Sequence, residues 1–162
     1  MGEKTRMKRR KIGTKHFDGV IDITDPCYNK DVWCRMDNVH IKPGEYDCII
    51  WDQENEYELN GKKNTYNIVG IIGIYLDGIV PLQDSMKRIG FVGVDAGLAG
   101  FFQNKPDFTD EQWADFCNQT RKGEAWITDL GFFSFSGGGD GEYDVFAYKV
   151  NEDIVALEIR FV

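Results

Sequence analysis

Short apolar stretches broken by glycine, proline and aspartate recur along the chain, and few of them keep a helical spacing. Residues 19–24 read as a first strand, ended by Asp25-Pro26, because proline cannot donate a ladder bond and restricts the residue before it. Residues 32–36 suggest a second short element. Lys42-Pro43-Gly44 turns the chain into residues 45–51, where alternation gives way to an apolar run, as in a strand with one buried face. Residues 52–55 read as a hairpin closure with 57–59 returning, and Asn60-Gly61 is a strong turn signal. The Ile-rich residues 66–75 lack helical periodicity. Gly70 and Gly73 would each weaken a helix by about 1 kcal/mol, so this segment is expected to be a central strand. After the Asp77-Gly78 turn, residues 88–94 form another strand that delivers Asp95-Ala96-Gly97 to its carboxyl end. The tail reads as a meander: 131–136, a glycine-rich loop, 142–150, a turn at 151–153, then 155–162.

One helix is well specified, near residues 110–122. Thr109 is an N-cap with Gln112 at the capping-box spacing, and Phe108 and Trp113 stand at the staple positions. Asp110 and Glu111 favour its start, Arg121 and Lys122 its end, and Gly123 terminates it. Trp113, Phe116, Cys117 and Thr120 share one face, expected to be buried. The fold class that follows is mainly β (α+β): an antiparallel sheet, sandwich- or barrel-like, with this one helix packed on it.

Charge changes the picture at the amino end. Residues 1–15 hold Lys4, Arg6, Lys8, Arg9, Arg10, Lys11 and Lys15 against the single acid Glu3, so with −8 overall the remaining residues carry about −14. The head is read as a disordered basic tail, and residues 16–162 as a single globular β-rich domain. An acidic body repels nucleic-acid phosphates and suits a basic partner or solubility alone. The head has no apolar signal-peptide core, and no segment reaches about 18 uninterrupted apolar residues, so no membrane association is expected. Arg6 stands where a myristoylation signal needs Ser or Thr. The expected location is the cytoplasm.

Four cysteines form no CxxC pair, and His16 and His40 fall at no ligand spacing, so neither a zinc site nor any cofactor is expected. The candidate chemistry lies in two loops, Val94-Asp95-Ala96-Gly97 and Gly137-Gly138-Gly139-Asp140-Gly141-Glu142-Tyr143-Asp144. Alternating Asp140, Glu142 and Asp144 offer oxygens at every second position. The EF-hand pattern fails, however, with Val145 where glycine is required and Asn151 where Glu is required. Triple glycine can cradle phosphate, but the following Lys-Ser/Thr of a P-loop is absent. Asp95 with Asp140 or Glu142 could act as a glycosidase-type carboxylate pair. Two histidines leave little material for a nucleophile–base set, and Cys27 has no basic neighbour to activate it. The ligand-binding candidates are therefore Asp95, Gly97, Gly139, Asp140, Gly141, Glu142 and Asp144, with no catalytic or metal residues assigned. Asp95, between an apolar strand and Ala96-Gly97, is expected to be structural, its carboxylate buried and accepting two or more amides of its own turn; Asp140, among glycines, is expected to be exposed.

The motifs Ile23-Thr24-Asp25-Pro26-Cys27-Tyr28, Pro43-Gly44-Glu45-Tyr46, Val94-Asp95-Ala96-Gly97-Leu98-Ala99-Gly100-Phe101 and Gly139-Asp140-Gly141-Glu142-Tyr143-Asp144-Val145 together resemble a family of small uncharacterised bacterial and phage proteins. The resemblance spans about residues 19–162. It implies a prokaryotic or phage cytosolic protein whose Asp95 and Asp140 loops are hallmark positions, and it carries no activity with it. The functional expectation is a non-catalytic binding protein, such as a protein inhibitor or a small-ligand sponge, whose partner and oligomeric state the sequence leaves open. The alternative is a carboxylate- or metal-dependent hydrolase at Asp95 and Asp140.

Overall fold

Alternate side chains of a strand point to opposite faces, and in this chain the apolar set on one face of each strand selects two sheets that pack against each other. A computed structural model describes residues 7–28, 32–104, 107–120, 123 and 125–162. Its strands are β1 (Met7–Phe17), β2 (Val20–Thr24), β3 (Met36–His40), β4 (Gly44–Leu59), β5 (Lys62–Leu76), β6 (Lys87–Val94), β7 (Leu98–Phe102), β8 (Ala125–Ile127), β9 (Gly131–Phe135), β10 (Gly141–Val150) and β11 (Asp153–Arg160), with helix α1 (Asp110–Thr120) between β7 and β8. One sheet has the order β1-β4-β5-β11-β10-β6, the other β3-β2-β7-β9-β8, and the paired strands run antiparallel. This is the expected β-rich sandwich with one helix, and the sheets do not close into a barrel. Between them lie Phe17, Ile23, Tyr46, Ile72, Phe101 and Phe132, all fully buried.

The basic head departs from expectation. Residues 7–15 belong to β1, which pairs along β4 from Met7 opposite Gln53 to Phe17 opposite Gly44. Its cations meet acids and an aromatic ring of β4: Arg10 donates to Asp52 (3.0 Å), Lys11 approaches Asp47 (3.3 Å), and the Arg9 guanidinium lies 6.0 Å from the Trp51 ring. Paired along β4 and met by its acids, these cations belong to an edge strand rather than a solvated tail. Residues 1–6 lie outside the described residues. Two further expectations are corrected. β3 begins at Met36, after a turn at Trp33 and Cys34. β4 runs unbroken through residues 52–55, so the hairpin turns only at Asn60-Gly61.

Beyond Gln53 and Ile68 the β4–β5 pair continues, among the described residues, as a two-stranded ribbon, its end exposed from Glu56 onward. Tyr57 and Tyr66 pack side by side on one face of it, 5.7 Å apart.

The outer face of the larger sheet carries a polar network. Tyr75 lies flat over Gly73, where a β-carbon would overlap the tyrosine hydroxyl. That hydroxyl donates to the fully buried Glu158 (2.7 Å) and accepts from Trp51 Nε1 (2.9 Å). Arg160 donates Nε to the other Glu158 oxygen (3.0 Å) while its guanidinium lies 3.7 Å from the Phe146 ring centroid. Burial, reinforced by the Glu158 charge, raises the Tyr75 pKa well above its usual value.

Helix α1 covers the outer face of the smaller sheet, where Phe116 meets Phe133 with ring centroids 5.3 Å apart. The capping box forms as read: Gln112 N donates to Thr109 Oγ1 (3.2 Å) and Thr109 N to Gln112 Oε1 (3.0 Å). The staple ring pair Phe108–Trp113 stands 5.8 Å apart. Of the expected buried face only Phe116 is buried; Trp113 is 40% exposed, because it covers Phe116 and Phe108 from outside rather than entering the core. Arg121 and Lys122 lie outside the described residues.

Candidate functional site

Three separate loops meet at one end of the sandwich, and a single carboxylate ties two of them together. Asp25 follows β2 and is fully buried. Its Oδ1 accepts the amide of Cys27 in its own turn (2.8 Å), and its Oδ2 accepts the amides of Asp95 and Ala96 (2.8 Å each) at the end of β6. A buried carboxylate is tolerated only when its oxygens are bonded, and here three donors do so. The third loop joins through the backbone: Ser136 N donates to Gly97 O (2.9 Å), and Gly141 stands opposite Val94 in the β10–β6 ladder. Asp140 and Asp95 therefore leave the sheet side by side.

The structure places each candidate as follows. Asp95 is exposed and accepts no amide of its own turn, correcting the expectation that it would be the buried, bonded acid. Asp25 fills that role, since the carboxylate that organises the Asp95 turn comes from a segment seventy residues earlier. Gly97 supplies the carbonyl that receives Ser136 and holds φ 70°. Gly139, at φ 77°, offers its carbonyl to Ser136 Oγ (2.6 Å) and to the Tyr143 hydroxyl (2.9 Å), so both glycines shape the backbone. Asp140 is exposed, as expected. Gly141 opens β10, and Glu142, also exposed, stands opposite Gly93. Asp144, opposite Phe91, is paired to Arg88 (2.8 Å). Asp95, Asp140 and Glu142 make no salt bridge or side-chain hydrogen bond among the described residues.

The loop that follows Asp25 completes this end. The fully buried Arg35 side chain donates to the Tyr28 carbonyl (2.7 Å) and to Asp37 (2.8 Å) and approaches buried Asp22 (3.5 Å). Asp22 in turn accepts the Asn38 amide (3.0 Å). The Cys34 carbonyl receives the Gly93 amide (2.8 Å), which caps the open edge of β6. Trp33 protrudes from this turn, 74% exposed, with its ring 5.9 Å from Phe91. The Tyr28 phenol pKa is pushed up to about 12, first by burial, then by its bond to Cys34 and the nearby Asp95 and Asp25 charges. Burial together with the Asp140 charge also raises Tyr143.

These geometries limit the chemistry on offer. Tyr28 is held neutral at ordinary pH, and Cys34 is buried. Among the described residues no three His, Cys, Asp or Glu side chains gather into a metal-ligand set. Cavities of about 220, 500 and 170 Å³ open beside α1, beside Arg88 and Tyr148, and beside Lys42 and Asp153; none is lined by Asp95, Asp140 or Glu142. Sequence reading singled out Asp25 and Tyr28 as part of a motif without a place at this end, and passed over Trp33 as a contributor to it. The available signal was the Asp25-Pro26-Cys27-Tyr28 motif itself, directly after a strand.

No protein family, curated protein or solved structure matches this chain.

Proposed function

We propose that this chain is a non-catalytic binding protein and that the loop-built end is its contact surface, receiving a partner of opposite charge. The observation that carries the reading is the contrast between the inside and the outside of this end. Asp25 and Arg35 anchor the loops from within, while Asp95, Asp140 and Glu142 stand in solvent without charge partners among the described residues. A rigid support presenting uncompensated charge steers an oppositely charged protein and sets its register. A protein partner fits better than a small ligand, because the cavities named above open elsewhere. The carboxylate-hydrolase alternative has only the adjacency of Asp95 and Asp140 in its favour.

The test is amide NMR of the whole chain titrated with a lysine- and arginine-rich peptide at low and at physiological salt. Shifts should concentrate on residues 93–97 and 139–142 and weaken as salt rises. The double variant Asp95→Asn, Asp140→Asn should lose at least tenfold in affinity with its melting temperature unchanged. Shifts centred on another face, or full affinity in the double variant, would overturn the proposal.

A further inference from the structure

We infer that Trp33 is the anchor of this surface and that it takes an arginine side chain of a basic partner protein, stacked on the indole and bridged to a carboxylate beside it. The inference rests on the binding reading above and names the partner's chemistry.

Exposure alone does not single out a residue, but Trp33 combines exposure with restraint. It projects with 74% of its surface in water. The two residues after it are buried, Cys34 bonded through its carbonyl to Gly93 and Arg35 held by Asp37 and the Tyr28 carbonyl. An apolar ring held out on a fixed turn loses little freedom when a partner covers it, which is the property of an interface anchor.

The neighbours identify what covers it. Trp33 leans on Phe91 of β6, and the β10 residues opposite Phe91 and Gly93 are Asp144 and Glu142. Arg88 already neutralises Asp144. Glu142 and the adjacent Asp95 remain uncompensated among the described residues. An aromatic face with free carboxylates at its border attracts a cation. A planar guanidinium suits it better than an ammonium, since it stacks on the ring and still offers a fork of donors to a carboxylate.

The chain contains a complete version of the same arrangement on the same sheet face. Arg160 lies 3.7 Å from the Phe146 ring centroid and donates to Glu158 at 3.0 Å. At Trp33 and Phe91 the ring and the carboxylates are present, and among the described residues no arginine covers the indole; the partner supplies it.

The experiment uses the indole N–H signals of the four tryptophans, assigned by single Trp→Phe variants of the full chain. The probe is a blocked pentapeptide of alternating glycine and arginine, with lysine and glutamine versions as controls. The Trp33 signal should move saturably with the arginine peptide, at least threefold tighter than with lysine, and not with glutamine. Trp33→Ala should abolish this binding and Glu142→Gln should weaken it at least threefold, both with unchanged melting temperature. Equal response to lysine and arginine, or a Trp33 signal that stays still, overturns the anchor. If the peptide still maps to residues 93–97 and 139–142 while Trp33 stays still, only the anchor falls. If it maps to another face, the binding surface falls with it.

Discussion

Replacing Asp25 should damage the fold more than replacing any of the exposed acids near it. The carboxylate is fully buried and accepts three backbone amides, one from Cys27 and two from Asp95 and Ala96. Hydrogen bonds to a charged group contribute about 1.5–3 kcal/mol each, a nominal total of about 5–9 kcal/mol. Asp25→Ala opens a hole that water can enter, which returns part of that to the stranded amides, so the expected loss is about 3–5 kcal/mol. Asp25→Asn must turn an NH2 group toward at least one amide donor, and should cost about 2–4 kcal/mol. Against a total stability of about 5–15 kcal/mol, either change is large. At about 2–4 °C per kcal/mol for a chain of this size, the melting temperature of Asp25→Ala should fall by roughly 6–20 °C. Denaturant unfolding measures the loss, and amide hydrogen exchange locates it: Asp95 and Ala96 should lose protection before the core strands do. A loss below about 1 kcal/mol in both variants would refute the view that this carboxylate joins the two loops.

Other outcomes follow from the same contacts. Deleting residues 1–15 should lower the melting temperature by ten degrees or more, because β4 loses the neighbour that pairs with it from Gln53 to Tyr46; a change of only a few degrees in calorimetry would return these residues to the status of a tail. Thr109→Ala should cost about 1 kcal/mol through the helix cap, and Phe116→Ala about 3–4 kcal/mol. Trp113→Ala should cost less than Phe116→Ala in the same denaturant series, since Trp113 is 40% exposed. Stability should fall as pH rises from about 10 to about 12: tyrosines of the unfolded chain release protons near 10, whereas Tyr28 holds its proton to about 12. Tyr28→Phe should make that decline shallower in pH-dependent unfolding. Cys48, pushed up to about 12 by burial, should resist alkylation at pH 8 until the protein unfolds.

Local chemistry was readable in the sequence, and long-range partnership was not. The Thr109–Gln112 capping box, the Asn60-Gly61 turn and the strand ended by Asp25-Pro26 each depend on neighbours within a few residues, and each appears where it was read. The register of β1 depends on Asp47, Asp52 and Trp51. From composition alone its cations look solvated. The Asp95 loop was identified, but its bonded carboxylate was assigned to the wrong residue, because nothing near Asp25 announces amides seventy positions later. Glu158, in the apolar company of Leu157 and Ile159, takes its bond from Tyr75, 83 positions earlier, a partnership that nothing beside either residue announces. For the candidate site, the residues were visible as motifs while their division into inner supports and outer contacts needed the third dimension.

The long β4–β5 hairpin has a consequence for the order in which the chain folds. Its turn residues Asn60 and Gly61 hold φ 54° and 75°, the left-handed pair that matches the twist of the strands they connect. That ladder can start at Leu59 opposite Lys62, across the turn itself, and zip outward, whereas β1–β4 can start no nearer than Phe17 opposite Gly44 and β5–β11 no nearer than Tyr75 opposite Ala156. The hairpin should therefore be the template that forms first, with β1 and β11 adding to its two sides afterwards. Gly61→Ala meets open space but a strained backbone, so it should slow refolding and leave the unfolding rate nearly unchanged.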